Sequence, residues 1–325
     1  MSQKIRVAIV GYGNVGRGVY QAIKRNSDME FAGIISRRPG KILLEVPEAN
    51  VYAPDNFEKL FADVAILCGG SAKDLPEQGP SYLRSLNTVD SFDTHAKILE
   101  YFAKMDAIAK ENNHVAIISA GWDPGTFSLE RVLGDAFIPG SRKFTFWGPG
   151  VSQGHSDAIR KVEGVADAIQ YTIPIQEALN TVRTGSNPQL TTREKHWRDC
   201  YVALKPEADP EAVKQAIVTM PNYFSDYDTI VTFESPEKIS ERKRQMPHGG
   251  FVMTSGETGN GNNALIEYTN QWKSNPEATG SILIACARAN YRLQQDKKFG
   301  AFTMLDIPPA YLSPRSQEEL LKNWM

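Results

Sequence analysis

A doubly wound α/β domain built on a parallel sheet, followed by an α+β domain with a mostly antiparallel sheet, is the fold this chain predicts. Three observations carry the prediction. Apolar runs of strand length recur through the first ~125 residues, each ending in a turn of glycine, hydroxyl or charged residues and followed by a helical pattern. The first such turn, Gly11-Tyr12-Gly13-Asn14-Val15-Gly16, has the G-x-G-x-x-G spacing between a strand and a helix, the context of a Rossmann-type dinucleotide fingerprint. Beyond residue ~125 the apolar runs give way to segments that alternate apolar and polar residues, the mark of sheets covered on one face.

The first strand covers 7–10, and the helix after it places Val15, Val19, Ala22 and Ile23 on one face. Gly11 permits the tight turn, Gly13 lets a pyrophosphate reach the backbone, and Gly16 brings the helix close to the sheet. The free N–H groups of the first helical turn and its dipole then face phosphate. A second buried strand, 30–35, ends in Ser36-Arg37-Arg38, where an NAD-binding domain usually carries an acidic residue for the ribose hydroxyl. A hydroxyl and two guanidinium groups suit a 2′-phosphate instead, which predicts NADP. A short strand at 51–52 and a helical turn at 57–61 come next.

The run 64–67 leads into Cys68-Gly69-Gly70-Ser71, a second glycine turn at the sheet's carboxyl edge, where open α/β folds bind ligands. Cys68 reads as a strand-end thiol, since no basic neighbour makes it a thiolate. A short helix is expected from Pro80 to Leu86, then a strand ending in Ser91-Phe92-Asp93. A long helix over 94–111 is expected to bury Ile98, Phe102, Met105 and Ala109. The strand 115–118 ends in Ser119-Ala120-Gly121-Trp122-Asp123-Pro124-Gly125. In the second part, helices are expected at 128–137, 176–183, 210–220 and 278–295, with strands at 143–147, 168–173, 196–204, 229–233, 251–254 and 265–270. Ser156 and Asp157 suit the start of a further helix, and 313–324 forms an amphipathic tail returning to the first domain. The expected division is 1–123 completed by 299–325, and 124–298 for substrate and dimerisation.

Composition sets bounds on function. With 325 residues there is room for two modest domains, and 41 % hydrophobic with 23 % charged residues is ordinary for a globular protein. A net charge of −2 gives no electrostatic basis for binding nucleic acid or an anionic membrane. The apolar runs are too short to span a bilayer, and the N-terminal one breaks at Gly11, so no signal peptide is expected. Cys68, Cys200 and Cys286 lie far apart without a C-x-x-C, which fits a reducing cytoplasm and no metal.

Asp93 and Asp123 end strands on the cofactor side, and two carboxylates in one cleft suit an ammonium. The competing reading makes each a cap for the helix after it. Trp122 and Trp147 either wall the site or sit in a core. Arg198 suits a carboxylate, or else lies in solvent. His248 sits in Met246-Pro247-His248-Gly249-Gly250, where glycines let a ligand approach, and His155 lies between Gly154 and Ser156; neither has a second metal ligand at a sensible spacing. By themselves these residues describe an NADP-dependent enzyme acting on a small polar substrate.

The chain resembles the meso-diaminopimelate dehydrogenase family along its whole length. The resemblance is carried by 11–17, 68–71, 88–93, 121–125, Phe146-Trp147-Gly148-Pro149-Gly150 and its continuation to Asp157, Gln170-Tyr171-Thr172, Met246-Pro247-His248-Gly249-Gly250, Asn275-Pro276 and 300–303. It implies NADP-dependent oxidative deamination of the D-centre of meso-2,6-diaminopimelate to L-2-amino-6-oxopimelate, ammonia and NADPH, by a cytoplasmic homodimer on a route to lysine. It further implies that Tyr12, Gly13, Asn14 and Val15 lie under the pyrophosphate and that Ser36, Arg37 and Arg38 take the 2′-phosphate. Cys68 to Ser71, Ser91 to Asp93 and Ala120 to Pro124 line the rest of the cofactor. Asp93, Asp123, Trp147, Gln153 and Gly154 surround the D-centre, while Thr172, Arg198, His248 and Asn275 hold the L-centre. An ordinary aspartate, pKa about 4, is a poor base for an ammonium, so both aspartates are assigned to positioning and proton relay.

Two rivals remain at this stage. Another NADP-dependent dehydrogenase of this plan would take broader D-amino acids or a semialdehyde, the latter needing an activated cysteine. A non-catalytic NADP sensor would not need Asp93, Asp123, Arg198 and His248 together.

Overall fold

The computed structural model describes residues 3–185 and 187–325. They fall into two compact units, one running through Leu129 and including Pro276–Met325, the other Glu130–Asn275. The expected boundaries, 123/124 and 298/299, are corrected at both ends. The main reason is the helix Asn275–Gln295, whose Leu283, Cys286 and Ala287 are buried in one core with Val7 and Ile9. It crosses the helix Asn14–Arg25 at a point where neither backbone tolerates a side chain. A Cβ on Gly18 would lie 2.1 Å from the Pro276 carbonyl oxygen, and one on Gly280 would lie 2.4 Å from Gly18.

The first unit is built on strands β1 (Ile5–Val10), β2 (Met29–Ile35), β3 (Val51–Tyr52), β4 (Val64–Leu67), β5 (Asn87–Asp90) and β6 (Val115–Ile117), with a final strand Gly300–Phe302. All pair in parallel, in the order β3-β2-β1-β4-β5-β6 and then the final strand at the edge beside β6. Helix-covered faces explain the unbroken apolar runs: Val7 to Val10 and Val64 to Leu67 are buried throughout. The order reverses direction between β1 and β4, which puts a switch point beside Gly11 and Cys68.

Two local expectations fail here, and the third, the tail, holds in part. The helix near Pro80 spans Leu75–Leu83 with Pro80 inside it. Pro80 has no N–H for the Pro76 carbonyl, which instead accepts the Lys104 ammonium at 3.4 Å. The long helix begins at Ile98 after a short turn His95–Lys97, and it buries Tyr101, Met105, Ile108 and Ala109. The tail helix Gln317–Trp324 leaves Leu321 and Trp324 exposed. The tail is tied to its unit upstream, where Arg292 donates to the Ala310 and Ser313 carbonyls (2.7 and 2.9 Å) and Arg288 to that of Leu312 (2.8 Å).

The second unit holds two sheets where one was expected. One contains β8 (Gly150–Val151), β9 (Val165–Pro174), β10 (His196–Leu204) and β11 (Asp228–Phe233), antiparallel except for the β10–β11 pair. The other joins β7 (Arg142–Trp147), β12 (His248–Glu257) and β13 (Asn263–Trp272), all antiparallel. The chain passes from one sheet to the other at Trp147-Gly148-Pro149-Gly150, with a cis Gly148–Pro149 peptide. Gly148 has φ +99°, and a Cβ there would sit 2.0 Å from the Thr172 carbonyl oxygen.

Candidate active site

The cofactor half lies in the first unit. A Cβ on Gly16 would fall 2.2 Å from the Gly11 carbonyl oxygen, so only glycine allows the helix Asn14–Arg25 to start where it does. A Cβ on Gly13 would meet nothing within 4 Å, so the absent side chain serves no contact within the protein and leaves open space over the helix N-terminus. The Gly11 N–H donates to the Ile35 carbonyl and the Cys68 N–H to that of Val10, both at 2.8 Å, which draws the ends of β2, β1 and β4 together. They enclose a cavity of about 230 Å³ lined by Gly11, Tyr12, Gly13, Ser36, Arg37, Arg38 and Gly69 among others. Its donors are the two guanidinium groups, and the Ser36 hydroxyl accepts the Arg38 N–H at 3.1 Å. This donor set fits a dinucleotide carrying an extra phosphate. Arg37 also pairs with Asp74 at 3.4 Å, while Arg17 of the fingerprint is engaged by Glu45 at 2.6 Å.

The remaining loops at this edge are wired to one another. Ser71 Oγ accepts the Asp93 N–H (2.8 Å) and lies 3.1 Å from Thr94 Oγ1. Asp90, fully buried, accepts the N–H groups of Phe92 (3.0 Å) and Ser119 (3.2 Å) and the Tyr101 hydroxyl (2.8 Å), and its carbonyl accepts the Ala120 N–H (2.9 Å). Burial pushes the Asp90 carboxyl up to about 6 against its three donors. Sequence reasoning missed Asp90; a carboxylate at the end of the strand Asn87-Thr88-Val89-Asp90, just before Ser91-Phe92-Asp93, was the available signal. Asp93 is exposed, and no side chain caps either the turn His95–Lys97 or the helix Ile98–Glu111, so its capping reading falls. Asp123 is half-buried beside a cis bond to Pro124. Trp122 is core, packed 4.4 Å from the Phe127 ring. Cys68 follows the end of β4, and burial pushes its thiol up to about 12.

The second unit gathers the other candidates around the crossing at 147–150. Thr172 of β9 and Arg198 of β10 are cross-strand partners, and the Arg198 Nη1 donates to the Thr172 hydroxyl. Gly150 is paired with Thr172 on the other side of β9, and a Cβ there would come within 2.7 Å of His248. Gln153 Nε2 lies 3.1 Å from Met246 Sδ, and the Asn275 N–H donates to the Met246 carbonyl at 2.7 Å. Gln153 and Asn275 are thus bound to the segment that leads into His248. Two expectations are corrected. Ser152, not Ser156, caps the helix Gln153–Ile159; Ser156 is buried and its hydroxyl donates to the Ser152 carbonyl at 2.6 Å. Gly249 makes room for protein, since a Cβ there would lie 2.5 Å from the Asn270 carbonyl oxygen of β13.

Arg198 is the most informative residue of this unit. It is 4 % exposed, its guanidinium lies 3.7 Å over the Tyr227 ring, and its Nε has no hydrogen-bond partner among the described residues. No carboxylate forms an ion pair with it there, and burial lowers its pKa from the usual arginine value. A buried cation without a counter-ion is costly unless a ligand supplies the anion. The histidines beside it stay neutral and add no second positive charge. Burial and the Arg198 charge hold His155 down at about 4, and burial with the same charge holds His196 at about 3. His196, unremarked in the sequence, accepts the Trp147 N–H on Nε2 (2.9 Å) and stacks on the indole at 5.4 Å. Its place two residues before Arg198, on the same face of β10, was the signal.

The diaminopimelic acid dehydrogenase C-terminal domain family matches residues 121–274. A curated meso-diaminopimelate D-dehydrogenase from Ureibacillus thermosphaericus is 53 % identical over 321 residues, 98 % of either chain. The chain belongs to the meso-diaminopimelate dehydrogenase family. Among solved structures of that family, the Corynebacterium glutamicum enzyme in complex with diaminopimelate superposes with a TM-score of 0.92 at 41 % identity, covering 100 % of each chain. An engineered D-amino acid dehydrogenase bound to NADP⁺ superposes with a TM-score of 0.84 at 38 % identity, covering 99 % of this chain and 100 % of that one. Family membership brings a nicotinamide cofactor and a small-molecule substrate. Among the described residues no helix is long and apolar enough to cross a membrane.

Proposed function

We propose that the chain catalyses the reversible oxidative deamination of the D-centre of meso-2,6-diaminopimelate, consuming NADP⁺ and water and yielding L-2-amino-6-oxopimelate, ammonia, NADPH and a proton. The relatives are meso-diaminopimelate D-dehydrogenases and one is solved with diaminopimelate. The observation in this chain that carries the reading is Arg198, a buried cation with no protein carboxylate, paired with a buried Thr172 hydroxyl.

When bound, the nicotinamide accepts a hydride from the D-centre carbon. The protein's share is position and charge. Tyr12, Gly13, Asn14 and Val15 offer the pyrophosphate the helix N-terminus, and Ser36, Arg37 and Arg38 hold the 2′-phosphate. Cys68 to Ser71, Ser91 to Asp93 and Ala120 to Pro124 line the remainder. Asp93 and Asp123 orient the D-centre ammonium and relay its proton towards water; Trp147, Gln153 and Gly154 bear on the same centre. Thr172, Arg198, His248 and Asn275 hold the L-centre by its carboxylate and amine. Fixing both ends is what makes a substrate with two similar ends react at one of them. In this reading the enzyme works as a cytoplasmic homodimer.

The test is NADPH formation with meso-, L,L- and D,D-diaminopimelate and with simple D-amino acids. Turnover confined to the meso isomer supports the assignment. Comparable turnover of D-alanine replaces it with a broad D-amino acid dehydrogenase, and no amine oxidation at all overturns it.

A further inference from the structure

Thr172 Oγ1 is met by two donors. One is Arg198 Nη1, and the other is Gln170 Nε2, at 3.4 Å from the next inward-facing position of β9. A hydroxyl has two acceptor lone pairs and one hydrogen. With both lone pairs engaged, the Thr172 hydrogen can only donate, and neither partner accepts it: a guanidinium has no lone pair to offer and the amide presents its NH₂ side.

Gln170 is an expensive residue to keep there. It is fully buried, and its Oε1 has no hydrogen-bond partner among the described residues. Leaving half of a buried amide unpaired costs stability that an apolar side chain of similar size would not. Its backbone is used as well. The Ser152 N–H donates to its carbonyl at 3.1 Å, and its own N–H donates to Ser156 Oγ at 3.0 Å, so the strand residue that touches Thr172 also braces the segment carrying Gln153 and Gly154.

We propose that Gln170 is a positioning residue that fixes Thr172 as a hydrogen-bond donor, so that Thr172 and Arg198 together present only donors and select a carboxylate over an ammonium at the distal end of the substrate. The proposal rests on the assignment of Thr172 and Arg198 to that end. Exchanging carboxylate and ammonium at a fixed carbon is equivalent to inverting its configuration. A donor-only pair therefore contributes to choosing the L-configured distal centre, and its polarity is set one strand position away from the substrate.

The test compares Gln170→Met, which keeps volume in a buried site, and Gln170→Glu, whose carboxylate accepts the Thr172 hydrogen and reverses its polarity. The expected result for Gln170→Met is a KM for meso-diaminopimelate raised about 5- to 10-fold, the loss of one oriented hydrogen bond. The preference for meso- over D,D-diaminopimelate falls by a similar factor, with kcat and the KM for NADP⁺ within about twofold. Gln170→Glu loses more. In a Thr172→Val background Gln170→Met adds nothing further, because the hydroxyl it orients is gone. An unchanged KM and isomer preference in Gln170→Met overturns the proposal, as does a parallel loss of kcat and NADP⁺ affinity, which marks a merely structural residue. Thr172→Val and Arg198→Met alone test the underlying assignment: if both leave the substrate KM unchanged, that assignment fails, whatever Gln170 does.

Discussion

Replacing Arg198 by methionine separates a binding arginine from a structural one, because the two roles predict opposite effects on stability. The guanidinium is 4 % exposed and has no ion-pair partner among the described residues; its contacts are the Thr172 hydroxyl and the Tyr227 ring at 3.7 Å. Methionine fills much of the same volume without the charge. The variant loses one hydrogen bond, about 1 kcal/mol, and a desolvated cation–π contact, about 2 kcal/mol, while relieving the several kcal/mol that an unpaired buried ion costs. These nearly cancel, so the melting temperature should stay within about 4 °C of the parent or rise. Substrate binding should not be spared. Two charge-assisted hydrogen bonds to a carboxylate are worth about 3 kcal/mol together, which is on the order of 100-fold in the KM for meso-diaminopimelate. The KM for NADP⁺ should not move. Initial rates over both substrates and a thermal melt measure all three quantities. An unchanged substrate KM would remove Arg198 from the site, and a melting temperature lowered by 10 °C or more, with or without a change in KM, would make it a structural residue.

Three further predictions concern the cofactor edge and the cysteines. Arg37→Ala combined with Arg38→Ala should raise the KM for NADP⁺ about 100-fold and that for NAD⁺ little, since only the former has a 2′-phosphate to lose; equal effects refute the assignment. Asp90, held up at about 6, binds a proton in the folded state that it does not bind when unfolded at a pKa of 3.8, so its contribution to stability is full below pH ~4 and is lost as pH rises through about 6. Asp90→Asn should remove that slope and at pH 8 be stabilised relative to its standing at pH 4 by up to roughly 3 kcal/mol, read from urea unfolding at several pH values; a difference that is flat with pH would refute it. Alkylation with iodoacetamide at pH 8 should leave turnover intact and label the native protein slowly, because burial pushes the thiols of Cys68 and Cys286 up to about 12 and raises that of Cys200 as well. Rapid inactivation with stoichiometric labelling would instead favour a cysteine-dependent semialdehyde dehydrogenase.

The two units differ in how much of them the sequence discloses, and the difference has a physical origin. In a parallel sheet buried on both faces, burial makes strands apolar throughout, and the ligand edge makes their ends glycine-rich or polar. Val7 to Val10 before Gly11 and Val64 to Leu67 before Cys68 therefore announce element, boundary and site together. Alternation in the second unit says only that one face of a strand is covered, not by which sheet. Strands β7 and β9 are joined by a short stretch of chain, yet they belong to different sheets because the backbone crosses between them at Gly148, where a Cβ would strike the Thr172 carbonyl oxygen at 2.0 Å, and Gly150, where it would strike His248 at 2.7 Å. The glycines are visible in the sequence; the strand that presses on each is not, since it lies 24 to 98 residues further on. The same blindness left Arg198 open between a carboxylate partner and a solvent-exposed residue. Its alternate position on β10 placed it with His196 on one face, but whether that face meets solvent or is buried depends on β9 and on Tyr227, from elsewhere in the chain. What the crossing achieves is to bring Thr172, Arg198 and His248, from three separate strands, around one short run of backbone that can follow that path only without side chains at Gly148 and Gly150. A single Gly148→Ala substitution, strained at φ +99° and blocked by β9, should therefore damage the substrate end of the enzyme while leaving the first unit able to bind NADPH, which fluorescence titration of the purified variant would show. Loss of NADPH binding in a variant that remains folded would mean that the two functions are not separable in this way.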